Sequence, residues 1–310
     1  MNLQNIFSEI ENVDPEIYDR LDTRRSAMKQ FANVSGKIAL AAMPLALGSM
    51  FKKAYGQLPT DVVDVLKFGF LLEQLEARFY IVGLASSAIT TAAGTANTAV
   101  LTKIRVHEEA HREFLRGVLT SLGATPSTIE PTFDFTGGAT TVAPNIGNGP
   151  FKGFDAQYDI FLAVAQTLED TGVRAYKGQA GRLINNKPIL TAALNIHSVE
   201  ARHAARIRRM RRLRSSATGP GTFPAAYIGD IKPWIEGNQS NIAGTNPTIG
   251  ATNPNFATAV QANYNGEEVT TQLGVTITGL GGTSVAAATA SFDEILTKPQ
   301  VEGLVDGFIV

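Results

Sequence analysis

The chain has 310 residues, of which 44% are hydrophobic, and its formal net charge at pH 7 is -1. This length and apolar content are enough for one large domain or two ordinary domains with a buried core. The near-neutral charge provides no overall attraction to nucleic acid or acidic lipid. Because the chain has no cysteine, disulfides, thiolate metal sites and iron–sulfur clusters are excluded. Any metal ion bound here would need histidine and carboxylate ligands.

The first 56 residues have the pattern of an export leader. Arg24 and Arg25 precede an uncharged apolar run over residues 38–51, and small residues follow at 54–56. This order resembles a twin-arginine leader, and the run is shorter than the ~20 residues that span a membrane. We therefore expect export to the periplasm or the cell exterior and no permanent membrane span. An ordinary helix after a basic turn is the alternative, and it would leave the protein in the cytoplasm.

Four long amphipathic helices are predicted between residues 57 and 215. Apolar residues recur at spacings of three and four over residues 61–87, 95–122, 155–183 and 189–214. A short Gly/Thr/Ala link joins the first helix to the second, and a tight turn joins the third to the fourth. Residues 124–153 contain several prolines and glycines and are predicted to be a long loop. This connectivity is typical of an all-α four-helix bundle with one long crossover.

Residues 216–310 differ in composition and are predicted to form an irregular C-terminal extension. Asn, Thr, Gly and Ala replace the periodic apolar residues, apart from a short capped helix predicted at 291–296. The rings of Tyr227, Trp234, Phe256 and Tyr264 favour packing of this extension on the bundle, because large aromatic side chains gain most from burial. A detached low-complexity tail is the alternative.

Residues 107–111 have the sequence HEEAH, which matches the H-E-x-x-H signature of zinc peptidases. In those enzymes the two histidines bind zinc and the glutamate acts as a general base. The fourth helix, however, contains Glu200-x-x-His203, which repeats the spacing of Glu108-x-x-His111. Each pair places a carboxylate and an imidazole on one helical face. A peptidase needs no second pair, so the repetition favours a metal centre inside the bundle.

The first and third helices also share a sequence frame. The pattern E-x4-R-x-Y begins at Glu73 in the first helix and at Glu169 in the third. The chain therefore contains a degenerate internal repeat of two helical hairpins. One glutamate from each of two helices, together with Glu-x-x-His from each of the other two, is the ligand pattern of di-metal carboxylate bundles.

With this pattern, residues 60–215 resemble the ferritin-like superfamily. The runs LLEQLEARFY and TLEDTGVRAYKGQAGRL look like those of a bacterial group of exported ferritin-like proteins related to desiccation-associated proteins. The resemblance implies two metal ions, with iron as the expected metal and manganese or zinc as alternatives. It implies that Glu108 and Glu200 bridge the ions. The full set of implied ligands is Glu73, Glu108, His111, Glu169, Glu200 and His203.

Five further residues lie near these ligands in the predicted helices. Glu76 is one turn from the first predicted ligand and would either replace it or add a ligand. The hydroxyls of Tyr80 and Tyr176 are expected to hydrogen-bond to ligating carboxylates across the bundle, and simple packing is the alternative. His107 and His197 are expected to support the ligands or pack in the core rather than bind the metal.

The segment from Arg202 to Arg214 contains seven arginines. Such a cluster can contact phosphate groups, but cations also stabilise the carboxyl end of a helix. We expect acids of the extension, namely Asp230, Glu236, Asp293 and Glu294, to cover these arginines. No nucleic-acid partner is predicted.

Two classes of function fit this sequence. The first is an exported ferritin-like di-metal protein that reacts with oxygen or peroxide, as a ferroxidase or peroxidase does. The second is a structural or self-assembling stress-protective protein whose metal site is stabilising or vestigial. Metal ions are the expected partners in both classes, and a homo-oligomer is compatible with either.

Overall fold

A computed structural model describes residues 60–124, 126, 131–139, 146–214, 235, 237–238, 256–272 and 274–310. The predicted leader, Tyr227 and Trp234 lie outside the described residues. The described part is mostly helical, with one two-stranded hairpin in the extension. The prediction of an all-α fold is confirmed.

Four long helices form the body of the protein. They are α1 (Thr60–Ala85), α2 (Ser87–Ser121), α3 (Tyr158–Ala180) and α4 (Lys187–Arg214). A 3-10 turn at Gly181–Leu183 lies in the link between α3 and α4. Helix α1 packs chiefly against α2, and α3 packs chiefly against α4. The two halves of the internal repeat are therefore two helical hairpins joined by the long crossover.

Helix α2 begins earlier than the sequence predicts. The segment before residue 95 was expected to be a link, but it is helical from Ser87, and the side chain of Ser86 accepts a hydrogen bond from the amide of Ile89. The helix is interrupted at Gly94, which has a φ of 72°. Alanine has high helix propensity, and Ile89 is fully buried. Burial of that side chain anchors the additional turns. The segment predicted as a link is therefore helical from Ser87 up to the kink, and the predicted start of the long helix at residue 95 falls directly after the kink.

The crossover is ordered around the buried side chain of Asp134 where it is described. One oxygen of Asp134 accepts hydrogen bonds from the amide and hydroxyl of Thr136, and the other accepts from the amide of Gly147. The segment next to Asp134 also pairs with the last residues of the chain, through an antiparallel bridge between Phe133 and Ile309. A proline- and glycine-rich loop thus gains fixed backbone partners.

The described part of the extension contains only short elements. They are α5 (Phe256–Ala262), β1 (Thr271–Gln272), β2 (Val275–Thr276), α6 (Val285–Thr289) and α7 (Lys298–Val305), with 3-10 turns at Leu280–Gly282 and Asp306–Phe308. Strands β1 and β2 pair antiparallel, with Thr271 opposite Thr276.

The helix predicted at residues 291–296 does not form. The amide of Glu294 donates instead to a carboxylate oxygen of Glu267, and the amide of Leu296 donates to the carbonyl of Arg174. These tertiary partners satisfy the backbone groups that a helix would have used. The capped helix is α7, which begins after Thr297 and has a capping box with Gln300.

Helix α3 lies at the centre of the molecule. Almost every residue from Tyr158 to Tyr176 is buried, because the described part of the extension covers the side that the other helices leave free. Arg174 is 1% exposed, and its guanidinium donates to the backbone carbonyls of Glu294, Asn263 and Asn265. The extension is thereby joined to the helix that also carries one of the predicted metal ligands.

No single helix within the described ranges has the length and hydropathy to cross a membrane. Residues 61–85 and 87–121 satisfy the length and composition test only as a pair, and the two segments are bent by 97° relative to each other.

Candidate metal centre

The six predicted ligands meet in the middle of the bundle. Their ligand atoms form two groups, in each of which all atoms lie within 4.8 Å of one another. The first group takes Glu73 and His111, the second takes Glu169 and His203, and two glutamates occur in both groups. These shared residues, Glu108 and Glu200, come from the Glu-x-x-His pairs of α2 and α4. Each helix of the bundle thus contributes to one compact cluster.

The imidazole of His111 faces three carboxylates. Its Nδ1 atom lies 3.1 Å from Glu73 Oε2, 3.1 Å from Glu108 Oε2 and 3.1 Å from Glu200 Oε1. The i, i+3 spacing of Glu108 and His111 on α2 explains why these two side chains point the same way. This nitrogen and these three oxygens lie close enough together to be ligands of one common ion.

The imidazole of His203 also faces carboxylates, but the angles are less suited to hydrogen bonds. Nδ1 of His203 lies 2.6 Å from Glu108 Oε1 and 3.3 Å from Glu169 Oε2. Although these distances are short, the atoms are not aligned for hydrogen bonds, and within the described residues neither oxygen has a hydrogen-bond partner. The same is true of both oxygens of Glu200. Buried polar atoms are normally paired, so converging oxygen and nitrogen lone pairs fit a cation between them.

The carboxylates of the cluster are energetically costly without such a cation. All four glutamates are 0% exposed. Burial raises the pKa of Glu73 to about 8, although His111 opposes the shift. Burial also raises the pKa of Glu169 well above its ordinary value. Protons therefore neutralise part of the cluster in the absence of metal, and a divalent cation would displace them.

The two imidazoles and Glu200 favour their ionised forms. Burial lowers the pKa of His111 and His203, but the carboxylates around them outweigh this effect and raise both pKa values well above 6.5. Burial likewise raises the pKa of Glu200, but the two nearby imidazoles outweigh burial and lower that pKa to about 2.

Two tyrosines bond to the cluster crosswise. The hydroxyl of Tyr80 on α1 donates to Glu169 on α3, and the hydroxyl of Tyr176 on α3 donates to Glu73 on α1. Burial raises the pKa of both tyrosines well above 10, so the hydroxyls stay protonated and act as donors. The expected hydrogen bonds across the bundle are present, and each orients a glutamate that belongs to a different half of the repeat.

The two other histidines have different environments. Nδ1 of His107 lies 2.9 Å from Nε2 of His203, so this residue holds the ring whose other nitrogen faces the carboxylates. Burial and the neighbouring His203 lower the pKa of His107, which favours its neutral form. His197 instead places Nδ1 3.0 Å from the carbonyl of Val173. It therefore bonds to the backbone of α3 rather than to a carboxylate of the cluster.

Glu76 is a fifth buried acid near the cluster, and the second half of the repeat has no acid at the corresponding position. It is 3% exposed, its Oε2 atom has no hydrogen-bond partner among the described residues, and burial raises its pKa well above 4.5. Gly172 follows Glu169 by the same distance as Glu76 follows Glu73. A Cβ atom at Gly172 would lie 3.1 Å from Glu76 Oε1. The glycine leaves room for this acid, and the mismatch within the repeat was the sequence signal for it.

Two arginines of the α4 cluster form ion pairs with acids of the bundle. Arg208 lies 2.5 Å from Asp170, and Arg214 lies 2.7 Å from Asp159. Both acids are on α3, so these two ion pairs form within the bundle and not with the extension. Asp293 contributes only a further favourable charge near Arg208. Asp230 and Glu236 lie outside the described residues. The arginines thus join α4 to α3.

Residues 61–212 match a protein-family model described as a ferritin-like domain. The matched segment includes nearly all of the four long helices and every residue of the buried cluster. No curated protein and no solved structure matches the chain. The family match and the helical architecture together identify the fold of this segment as ferritin-like.

Proposed function

We propose that residues 61–212, as a ferritin-like domain, bind two metal ions between the four helices and use them to reduce dioxygen or peroxide. The observation that carries this proposal is the convergence of fully buried carboxylate oxygens and two imidazole nitrogens on two overlapping positions. Four of these oxygens and Nδ1 of His203 have no hydrogen-bond partner among the described residues. Four carboxylates and two imidazoles are hard or intermediate ligands, which suit iron best, with manganese and zinc as alternatives.

Each ion would have its own glutamate and histidine. In this assignment Glu73 and His111 hold one ion, and Glu169 and His203 hold the other. The remaining ligands, Glu108 and Glu200, would be shared by the two ions, because their oxygens belong to both groups. The tyrosines and His107 fix the orientation of the terminal ligands, which limits the rearrangement needed when metal binds.

Bound as ferrous ions, the two metals would supply two electrons, which with two protons would reduce dioxygen to hydrogen peroxide or hydrogen peroxide to two water molecules. The surrounding residues exclude bulk water, because the glutamates are fully buried and lie between two apolar clusters of the core. The hydroxyls of Tyr80 and Tyr176 hold their protons at the ligand oxygens of Glu169 and Glu73. Water exclusion strengthens every electrostatic interaction at the site.

Complete burial of the glutamates also favours a second function. A metal pair without access for a reactant would hold the four helices together and contribute stability instead of chemistry. In that case the protein would be a stress-protective or structural protein that contains metal. The two functions predict the same metal content and opposite results in an oxidation assay.

Metal analysis and ferrous oxidation test this proposal together. The protein would be purified without chelator, its bound metal measured, and oxygen consumption followed after ferrous iron is added to the metal-free form. The decisive variant is Glu108→Ala, which removes a ligand common to both ions. Its matched control is Glu113→Ala on the same helix, whose carboxylate is 49% exposed and pairs with surface arginines.

We expect about two metal ions per chain and rapid oxygen consumption in the wild type and in Glu113→Ala, with both strongly reduced in Glu108→Ala. Bound metal without oxygen or peroxide consumption would support the stabilising function and overturn the redox function. Equal metal content in Glu108→Ala and the wild type would overturn the assignment of the site itself.

We also propose that residues 1–56 direct export by the twin-arginine route, which carries folded proteins and suits a chain loaded with metal beforehand. The support is the order of paired arginines, apolar run and small residues in the sequence. Replacement of Arg24 and Arg25 by lysine is expected to retain the protein in the cytoplasm. Unchanged export of that variant, measured by cell fractionation, would contradict this proposal.

A further inference from the structure

An apolar cavity lies at one end of the bundle, next to the proposed metal centre. Its inner wall includes Tyr176, whose hydroxyl donates to Glu73, and Leu72, which directly precedes Glu73. Its other lining residues come from all four helices and are almost entirely apolar. The space between the walls, including open solvent at the mouth, is about 560 Å³, but the cavity volume itself is about 30 Å³. The cavity is therefore narrow.

The internal repeat shows why space remains at this end. Ala175 stands between Arg174 and Tyr176 as Phe79 stands between Arg78 and Tyr80. Phe79 is fully buried at the opposite end of the bundle, where its ring stacks on that of Phe161 at 4.9 Å. The alanine lines the cavity and provides no such ring.

On α1 and α4, too, the residues on the cavity side are smaller than their counterparts in the other half of the repeat. Val65 precedes Glu73 by the same distance as Phe161 precedes Glu169, and Ala193 precedes Glu200 by the same distance as Leu101 precedes Glu108. Val65 and Ala193 line the cavity, whereas Phe161 and Leu101 are fully buried at the filled end. Two larger side chains on the cavity side, Phe68 and Phe114, form walls and leave the space open.

Water has few partners in this cavity. A volume of about 30 Å³ is large enough for water, but a buried water molecule needs two to four polar partners. The polar side chains in the lining are Tyr176 and Gln179. The hydroxyl of Tyr176 is donated to Glu73, and Oε1 of Gln179 accepts from Arg182. Apolar cavities of this kind stay dry and take up small apolar molecules.

We infer that this cavity binds dioxygen and holds it one side chain away from the metal centre, an inference that rests on the proposed oxygen-reducing function. Dioxygen is apolar and only slightly larger than water, so it matches both the lining and the volume. Hydrogen peroxide is polar and would lose its hydrogen bonds to water on entering. The cavity would therefore supply one oxidant and not the other.

Methyl NMR of the metal-free protein tests occupancy without any redox reaction. Dissolved dioxygen is paramagnetic and broadens the signals of nearby methyl groups. We expect stronger broadening at Leu72, Val118 and Ile196, which line the cavity, than at Leu101 and Ile207, which are fully buried at the filled end. Equal broadening of the two groups, or occupation of the cavity by a longer apolar molecule or by the chain's own N-terminal residues, would overturn the inference.

Two variants link occupancy to the reaction. Ala193→Leu and Ala175→Phe each introduce the residue that the other half of the repeat carries, and the smaller change serves if the larger one fails to fold. The control is Leu194→Phe, which adds bulk beside Ala193 at a side chain that is 45% exposed.

We expect the cavity variants to lose the selective broadening and to raise the KM for dioxygen several-fold, with peroxide turnover unchanged. An unchanged KM for dioxygen after loss of the broadening would overturn the inference. If neither the wild type nor the variants consume oxidant while the selective broadening persists, the redox function fails and the gas-binding cavity still stands.

Discussion

The buried pair of Arg174 and Glu267 is predicted to hold the extension on the bundle. Arg174→Met keeps the length of the side chain and removes its charge and donors. The two side chains are 1% and 0% exposed and lie 2.5 Å apart, and removal of one member of such a pair costs about 3–5 kcal/mol. Three backbone carbonyls of the extension also lose their donor. We expect a loss of that size in the free energy of unfolding.

Urea unfolding of the metal-free protein measures this loss, and pH sharpens the test. Burial raises the pKa of Glu267 to about 7, although Arg174 opposes the shift. At pH 8 the Glu267 carboxylate of the wild type is ionised and its attraction to Arg174 is lost in the variant, whereas at pH 6 it is largely protonated in the wild type and less attraction is lost. The loss is therefore larger at pH 8. Arg78 occupies the same place in the first half of the repeat and is exposed, so Arg78→Met is expected to change stability by less than about 0.5 kcal/mol. Equal losses in the two variants would refute the reasoning.

Three further predictions concern the site and the packing of α3. Tyr176→Phe removes the hydroxyl that orients Glu73, and we expect about 10–100-fold weaker metal binding by titration; unchanged affinity would show that the tyrosine only packs. The metal-free protein is expected to become less stable to thermal unfolding as the pH rises from 4.5 to about 8. The reason is that the folded state keeps protons, including that of Glu73, which the unfolded chain releases. A stability that rises over this range would contradict the raised pKa of Glu73. Gly178→Ala places a Cβ atom 2.0 Å from a backbone carbonyl of the extension and is expected to cost about 1–3 kcal/mol, whereas Gly303→Ala meets no atom within 4 Å and serves as the control; similar urea midpoints for both would refute the close contact.

The bundle and its cluster were predictable because they depend on local geometry. An i, i+3 pair on a helix points to one place whatever the rest of the chain does, and Glu108-x-x-His111 recurs at Glu200-x-x-His203. Helix lengths and link lengths then allow few arrangements. The crosswise bonds of Tyr80 and Tyr176 follow from the same repeat.

The features that sequence did not predict depend on tertiary contacts. The capping pattern at Ser291 is a valid local signal, but Glu267 and Arg174 supply competing partners for that backbone. The first turns of α2 contain residues of mixed propensity, and burial of Ile89 decides their conformation. The side from which α4 receives its counter-charges likewise depends on how the two helices pack. No spacing rule contains this information.

The central position of α3 also limits how this protein can be divided. The family match ends at residue 212, yet the helix in the middle of that segment is covered by residues that follow it by about a hundred positions, from Asn263 to Leu296. A fragment that ends at residue 212 would expose the side of α3 that the extension covers, and the guanidinium of Arg174 would lose its partners in the extension. We therefore expect the autonomous folding unit to extend beyond the matched segment, and calorimetry of the intact chain to show one cooperative transition for both parts.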